Sequence, residues 1–203
     1  PHALGVTLSL AKFNRIVQID PLARTATVQC GVRNLAISEA AAPHGLYYAP
    51  DPSSQIACTI GGNVAENSGG VHCLKYGLTL HNVLKVRGFT VAGEAIEFGA
   101  DAPDAPGLDL LPLVVGSEGM LAVITEVVLS CARLPSDWTW ECFTLPTFGA
   151  LVDLAREAQR SEVGAFVVRG YDPPDAMLAF SSIGQPEGSP LLFGFPADLP
   201  GLA

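Results

Sequence analysis

The sequence predicts an α+β fold, and three observations support that class. Short segments of the first third alternate apolar and polar residues and are rich in β-branched side chains, which is typical of strands. A run of helix-forming residues follows over 34–42, and strand–helix–strand order recurs over 138–169. With 203 residues, of which 49% are hydrophobic and 15% charged, the chain can bury a substantial core.

The first third contains three predicted strands and one helix. The strands cover 5–10, 15–20 and 25–29. A turn at Asp20 and Pro21 joins the last two of them. The helix spans 34–42 and ends at Pro43 and Gly45, which makes His44 a residue of its C-terminal cap rather than a catalyst.

The middle of the chain begins with a long segment, 49–82, in which no extended periodic element is apparent. Two prolines, two Gly-Gly pairs and many small polar residues fill it, and a loop of this length is usually functional. After it we predict a hairpin of two strands, a Pro-rich surface loop, a short helix and a buried strand. Their ranges are 83–91, 94–98, 101–107, 108–115 and 121–130, with Ala92 and Gly93 in the hairpin turn.

A domain boundary is predicted at Leu134 and Pro135. Beyond it the sequence favours a strand over 138–145, a helix over 148–160 and a strand over 163–169. The remainder, 172–203, is so rich in proline and glycine that we expect no further strands there. Two strands rarely form a stable sheet, so we expect 135–203 not to be an independent domain.

Charge and cysteine content exclude several classes of function. The formal charge of −9 argues against a nucleic-acid surface, and charged residues and prolines interrupt every candidate for a transmembrane helix. Five cysteines without a C-x-x-C pair indicate free thiols in a reducing compartment. His72 and Cys73, with Cys58 and His81, match no standard zinc spacing, so no metal site is predicted.

The long segment contains residues suited to binding a large, flat, anionic cofactor. Glycine lets a backbone approach a ligand closely, and consecutive amides in turns can bind phosphate. Hydroxyl and amide side chains add polar contacts without charge. An ordered glycine-rich corner between strands explains the same composition, so both interpretations stay open here. The turn Gly116–Gly119 is a second candidate backbone site, with a plain tight turn as its alternative.

Other nucleotide-binding and catalytic motifs are absent. The sequence has no G-x-x-x-x-G-K-[ST] loop, no G-x-G-x-x-G at the start of a helix, and no G-x-S-x-G elbow. These absences argue against P-loop NTPases, kinases, Rossmann dehydrogenases and serine hydrolases of the elbow type.

Several motifs in order resemble the FAD-binding domain of the vanillyl-alcohol-oxidase/PCMH flavoprotein superfamily. Within it the sequence is most similar to the FAD-linked subunit of glycolate oxidase and to the D-lactate dehydrogenases. The resemblance covers about residues 4–134. The motifs that carry it are Asp51–Ser54, Thr59–Asn63, Asn67–Gly70, Tyr76–Gly77, Gly116–Gly119 and Val123–Thr125.

The resemblance implies non-covalent FAD, because His72 does not match the position that links the flavin covalently in some relatives. It also implies a set of cofactor-binding residues in this chain. They are Pro52, Ser53, Ser54, Thr59, Gly61, Gly62, Asn63, Asn67, Gly69, Gly70, Tyr76, Gly77, Glu118, Gly119 and Ile124.

In the domain arrangement that the resemblance implies, residues 1–134 are an FAD-binding PCMH-type domain and 135–203 an incomplete α+β cap domain. The second subdomain of the flavin domain is largely present. The first is truncated, because the family's glycine-rich pyrophosphate loop precedes the segment that begins here with Pro1. We therefore expect the chain's true N-terminus to lie upstream. Ala92 and Ala122 stand where the family often has Asp and Gly.

The function implied by the resemblance is FAD-dependent oxidation of a small 2-hydroxy acid, such as glycolate or D-lactate, to the 2-oxo acid. The family's substrate and metal residues lie in the cap, so no catalytic residue is assigned in this chain. Partner oxidase subunits, including an iron–sulfur protein, are expected in the cytoplasm, where they would provide any membrane association. The alternative is a truncated, non-catalytic homologue that acts as an FAD-binding or assembly subunit.

Overall fold

The computed structural model describes residues 4–100, 107–182, 184 and 187–197. The chain forms two compact units. The first comprises residues 1–70 and 77–134, and the second comprises 71–76 and 135–203. The predicted loop over 101–107 lies almost wholly outside the described residues.

Strands and short helices alternate along the chain. Its first part contains β1 (Ile16–Asp20), β2 (Thr25–Gln29), α1 (Asn34–Ala41), a 3₁₀ turn (Ala42–His44), β3 (Leu46–Tyr47), α2 (Ile60–Glu66), α3 (Cys73–Tyr76) and α4 (Thr79–Asn82). Then follow β4 (Val83–Phe89), β5 (Ala95–Gly99), α5 (Leu111–Val114), β6 (Val123–Ser130) and β7 (Ala132–Arg133). The last part contains β8 (Trp138–Leu145), α6 (Phe148–Arg160), β9 (Val167–Gly170), α7 (Pro173–Ala179) and β10 (Ser189–Pro196).

The first unit is built on an antiparallel five-stranded sheet in the order β1-β2-β6-β4-β5. One face is apolar and forms the core, in which Val28, Val86 and Val127 are fully buried. The strands β1, β2, β4, β5 and β6 agree with the predicted positions to within a few residues, because alternation in a half-buried sheet is a direct sequence signal.

Charged side chains pair across β4, β5 and β6. Arg87 on β4 contacts the carboxylates of both Glu97 and Glu126, and Lys85 lies 3.3 Å from Glu97. The guanidinium of Arg87 lowers the pKa of Glu97. These pairs across neighbouring strands account for four of the charged residues of the first unit.

Helix α2 corrects the expectation that 49–82 lacks regular structure. Thr59 begins the helix as its N-cap, and its hydroxyl accepts a hydrogen bond from the Gly62 amide at 3.4 Å. Asn67 ends the helix in the left-handed conformation, with φ 49°. Two glycines in the first turn lowered the helical signal, although both caps are visible in the sequence.

Residues 5–10 form no strand, contrary to the prediction. Most of their side chains are exposed, and the segment finds no strand partner among the described residues. The residues that follow this segment are held near the end of β2, where the Gly31 amide donates to the Phe13 carbonyl at 2.7 Å. Alternation alone therefore did not distinguish an extended loop from a strand.

The second unit contains a three-stranded antiparallel sheet in the order β8-β10-β9. Helix α6 packs on this sheet, and its Leu151 is buried with Leu191 and Phe193 of β10. Aromatic rings gather around Phe166, whose ring centroid lies 4.2 Å from that of Trp138 and 4.8 Å from that of His72.

Strand β10 overturns the expectation that 172–203 supplies no strand. Its Gly194 has a structural reason: a Cβ there would lie 2.8 Å from Phe166 Cζ, so only glycine leaves room for the ring. Its prolines lie near its ends, where a missing amide costs least. The sheet of this unit therefore has three strands, and the argument that it has too few strands to be stable is wrong.

Candidate functional site

A cavity of about 450 Å³ lies in the first unit at the N-terminal end of α2. Its volume falls within the usual range for small-molecule sites, about 300–1,000 Å³. None of its lining residues is charged. They are Leu8, Leu10, Ala11, Cys30, Gly31, Thr59, Gly61, Gly62, Ala65, Val114, Ser117, Gly119, Ala122, Val123 and Ile124. We call it the glycine-lined cavity.

For three of the four glycines in this lining, close contacts or the backbone conformation explain why the residue has no side chain. A Cβ on Gly31 would lie 2.8 Å from the Phe13 carbonyl oxygen, and one on Gly61 would lie 2.8 Å from Cys30 Cβ. Gly119 has φ +75°, a conformation that side-chain-bearing residues rarely adopt. Each of these positions requires glycine for packing or backbone reasons.

Gly62 is the exception. A Cβ there would meet one atom within 4 Å, Thr59 Oγ1 at 3.5 Å, which is ordinary van der Waals contact. Its backbone is helical, so conformation gives no reason for glycine either. In a helix glycine costs about 1 kcal/mol relative to alanine. The missing side chain keeps the cavity open, which fits a ligand packed closely against the backbone.

The amides at the start of α2 are largely used by the fold. Ile60 donates to the Val32 carbonyl at 2.8 Å, and Gly61 donates to the Cys30 carbonyl at 2.7 Å. Within the described part of the chain, the Gly62 amide has only the long contact to Thr59 Oγ1, at 3.4 Å. The amides of Ile60 and Gly61 are therefore not free for an anion, and Gly61 as a cofactor contact stays a prediction.

Asn63 belongs to the core rather than to the cavity wall. Its side chain is 2% exposed and donates to Asn34 Oδ1 at 2.8 Å. Asn34 in turn donates to the Pro50 carbonyl at 3.0 Å. This chain of hydrogen bonds ties α2 to α1 and to the start of the long segment.

The second Gly-Gly pair also has a packing role. A Cβ on Gly70 would lie 2.2 Å from the carbonyl oxygen of Asp51, so the two backbones pass too closely for any side chain. Asn67 Oδ1 accepts from the Leu80 amide at 2.9 Å. Glycine at position 70 therefore allows the backbones of residues 51 and 70, both in the long segment, to pass each other closely.

The structure brings five of the predicted site residues into the cavity wall. They are Thr59, Gly61, Gly62, Gly119 and Ile124. Ten others do not line it: Pro52, Ser53, Ser54, Asn63, Asn67, Gly69, Gly70, Tyr76, Gly77 and Glu118. As cofactor contacts, all fifteen stay predictions. Tyr76 belongs to the second unit. Gly77 has φ +73° and packs on His81, whose ring is within 2.5 Å of a Cβ built there.

Several wall residues were not identified from the sequence. Cys30 and Gly31 follow directly after β2, and a glycine at a strand end was the available signal. Leu8 and Leu10 lie in the segment wrongly predicted as a strand. Ser117 lies inside the turn 116–119 that was predicted as a backbone site.

Among the residues of the cavity wall, Cys30 has an ionisable side chain, a thiol. Burial raises the pKa of Cys30 above its ordinary value. Burial therefore disfavours the thiolate form of Cys30. Among residues 4–100, 107–182, 184 and 187–197 there is no group of three or more potential metal ligands.

A helix that crosses a bilayer needs about 20 consecutive, mostly apolar residues, and the helices in the described part of the chain are shorter. None of them is long and apolar enough to cross a membrane.

Comparison with known proteins matches residues 2–99 to the FAD binding domain family. Over 135 residues the chain is 64% identical to the glycolate oxidase subunit GlcD of Escherichia coli (strain K12). It is 43% identical over 136 residues to glycolate oxidase subunit GlcD of Bacillus subtilis (strain 168). It is also 39% identical over 132 residues to D-lactate dehydrogenase of Anaerostipes hadrus.

These alignments cover 64–66% of this chain but only 27–29% of each relative's length. A solved structure of alkyldihydroxyacetonephosphate synthase superposes with a TM-score of 0.75 at 26% identity. That superposition covers 91% of this chain and 37% of the other. The α+β class and the resemblance to an FAD-binding domain, both predicted from the sequence, are confirmed.

Proposed function

We propose that the chain is part of an FAD-dependent 2-hydroxy-acid oxidoreductase, because residues 2–99 match the FAD binding domain family. The substrates proposed are glycolate or D-lactate, which would be oxidised to their 2-oxo acids. The names of the relatives, glycolate oxidase subunit and D-lactate dehydrogenase, support this substrate class.

The observation that carries the proposal is the open space at Gly62. The fold gives no reason for glycine there, and the residue borders a cavity of small-molecule size. The uncharged wall suits a flat ring system that is stabilised by packing rather than by ion pairs. We therefore propose that the glycine-lined cavity holds part of FAD, bound without a covalent link.

The chain's own residues have three tasks in this proposal. Gly62, which has no side chain on the cavity side, lets the backbone approach the cofactor closely. Val114 and Ile124 are buried at the cavity and provide an apolar wall that excludes water. Thr59 and Ser117 supply hydroxyl groups for polar atoms of the ligand. When bound, FAD supplies the acceptor for the two electrons of alcohol oxidation.

The relatives named as subunits support a place in a multi-subunit enzyme. An iron–sulfur protein as one of the partners, a cytoplasmic location and membrane association through partners belong to the same proposal. This chain spans about 27% of the length of the E. coli relative, so the catalytic base is proposed to lie outside it.

The test is anaerobic reduction of bound flavin in the full-length protein. Glycolate or D-lactate should bleach the oxidised flavin absorbance, with the 2-oxo acid formed in equal amount. L-lactate serves as the stereochemical control for D-lactate. Bleaching by an alditol or an aromatic alcohol, with neither 2-hydroxy acid active, would contradict the proposed substrate class.

A second candidate is a non-catalytic FAD-binding or assembly subunit, favoured by the absence of any charged side chain in the cavity wall. Absorbance distinguishes the candidates in stages. A yellow protein whose flavin no 2-hydroxy acid reduces supports the FAD-binding subunit. A colourless protein that ignores added FAD contradicts both the enzyme and the FAD-binding subunit.

A further inference from the structure

A second pocket of the first unit is lined by basic residues. It measures about 610 Å³ and shares no residue with the glycine-lined cavity. We call it the basic pocket. It is lined by Pro21, Leu22, Arg24, His44, Gly45, Leu46 and Arg133.

Backbone hydrogen bonds fix the positions of the basic residues around this pocket. The carbonyl of Arg24 accepts from the Cys131 amide at 2.8 Å, two residues before Arg133. Arg133 is the register partner of Leu46 in the two-stranded sheet of β3 and β7. The Leu134 amide donates to the Gly45 carbonyl at 2.8 Å, directly after His44. Three separate segments are thereby held side by side.

Among the cations of the described residues, some pair with a carboxylate and others do not. Lys85, Arg87 and Arg156 each contact an aspartate or a glutamate. Within the described ranges neither Arg24 nor Arg133 has such a contact.

The acid in the same turn as Arg24 is already engaged. The carboxylate of Asp20 accepts from the amides of Leu22 and Ala23, both at 2.9 Å. The Asp20 carboxylate therefore stabilises the turn. Both guanidinium groups keep their donors for another anion.

The basic character of this pocket contrasts with the protein as a whole. The chain has 20 acidic and 11 basic residues and a net charge of −9. Even so, the pocket wall contains two arginines and a histidine and no acidic residue. Guanidinium groups bind phosphate and carboxylate through paired, charge-assisted hydrogen bonds. The volume is that of a small-molecule site rather than of a single ion.

We infer that the basic pocket binds a small organic anion with two or more negative charges, held by Arg24 and Arg133. Phosphoryl and carboxylate groups are the two sources of such charge. His44 adds a third donor, and Gly45, with φ 69°, leaves the wall beside it without a side chain.

Calorimetric titration of the full chain with inorganic pyrophosphate and, separately, with citrate in a low-salt buffer tests this inference. We expect one site for at least one of the two anions, with weaker binding as salt is added. Stronger binding of pyrophosphate assigns the site to phosphoryl groups, and stronger binding of citrate assigns it to carboxylates. Absence of binding by both anions at low salt overturns the inference.

Variants locate the site. Arg24→Gln and Arg133→Gln should each weaken binding about tenfold, while Arg24→Lys and Arg133→Lys should lose less because the charge remains. Arg15→Gln is the matched control, since it removes the same charge from an exposed position outside the pocket. Gly62→Val, which fills the glycine-lined cavity, should leave the titration unchanged. Equal weakening by all three Arg→Gln variants, or loss of binding in Gly62→Val, contradicts the basic pocket as the site.

Discussion

The amide of Gly61 donates to the carbonyl oxygen of Cys30 at 2.7 Å, and a Cβ built on Gly61 would lie 2.8 Å from Cys30 Cβ. Helix α2 thus meets the end of β2 at a distance that only glycine permits. At the next residue, Gly62, a built Cβ would meet only Thr59 Oγ1, at 3.5 Å. The two adjacent glycines therefore have different roles, and single substitutions at positions 61 and 62 can test each role by itself.

Gly61→Ala should destabilise the first unit, and Gly62→Ala should not. Overpacking against Cys30 costs about 1–3 kcal/mol, whereas alanine at position 62 gains helix propensity. Urea denaturation followed by far-ultraviolet circular dichroism measures both free energies of unfolding. Equal stabilities of the two variants would contradict the packing role of Gly61.

Gly62→Val should abolish FAD binding while the fold persists. The side chain would fill the space beside Thr59 that the cofactor is proposed to occupy. Titration with FAD in the full-length protein, with circular dichroism as the check on folding, measures the effect. Val64→Ala is the control, because it changes a core residue of the same helix outside the cavity wall. An unchanged FAD affinity in Gly62→Val would show that the cavity does not bind the cofactor and that its glycines have a structural role.

Asn63→Ala should lower the free energy of unfolding by about 1–3 kcal/mol, because Asn34 Oδ1 would be left in the core without its donor. The double variant Asn34→Ala/Asn63→Ala should lose less than the sum of the two single losses. Chemical denaturation of the three variants gives this coupling. Additive losses would mean that the two amides do not depend on each other.

Alkaline pH should weaken the first unit through Cys131. Burial raises the pKa of this thiol to about 11, above its ordinary value of 9.0. The unfolded chain releases the proton first, so the contribution is complete below about pH 9 and is lost as pH rises towards 11, with a slope of at most about 1.4 kcal/mol per pH unit. Burial raises the pKa of Tyr48 as well, which extends the loss to higher pH.

The measurement for Cys131 is the slope of unfolding free energy against pH between 8 and 10.5. Cys131→Ala should have a shallower slope than the unsubstituted protein. A slope unaltered by Cys131→Ala would show that this thiol ionises alike in both states.

Gly194→Ala should destabilise the second unit selectively. Its Cβ would lie 2.8 Å from Phe166 Cζ and 3.0 Å from Trp140 Cζ3. Both tryptophans of the chain, Trp138 and Trp140, are in β8, so tryptophan fluorescence reports on this unit alone. The fluorescence transition should move to lower urea concentration. Gly149→Ala is the control, since a Cβ there meets only Thr147 Oγ1, at 3.8 Å.

The sequence predicts most of the first sheet because alternation and tight turns are local signals. Helix α2 was missed, because its stability comes from Thr59 and Asn67 at its ends and from packing on β2 rather than from its composition. Strand β10 was missed for a related reason. Gly194 lowers strand propensity, and the ring of Phe166 that explains it comes from a distant part of the chain.

The candidate site was predictable to the extent that its residues form motifs. Thr59, Gly61, Gly62, Gly119 and Ile124 lie in the cavity wall. Composition could not separate a glycine that opens space for a ligand from one that allows two backbones to touch. Gly70 and Gly62 look alike in the sequence, but only Gly70 has another backbone within 2.2 Å of a built Cβ.

The order of strands in the second unit has a consequence for synthesis on the ribosome. Strand β10 is central in the sheet, between β8 and β9, yet it is the last of the three to be translated. Until it emerges, β8 and β9 lack the strand with which both pair. The backbone of β8 in the nascent chain therefore lacks its pairing strand for about fifty residues of elongation, at roughly 5–20 residues per second. Chaperone engagement should be strongest in that interval.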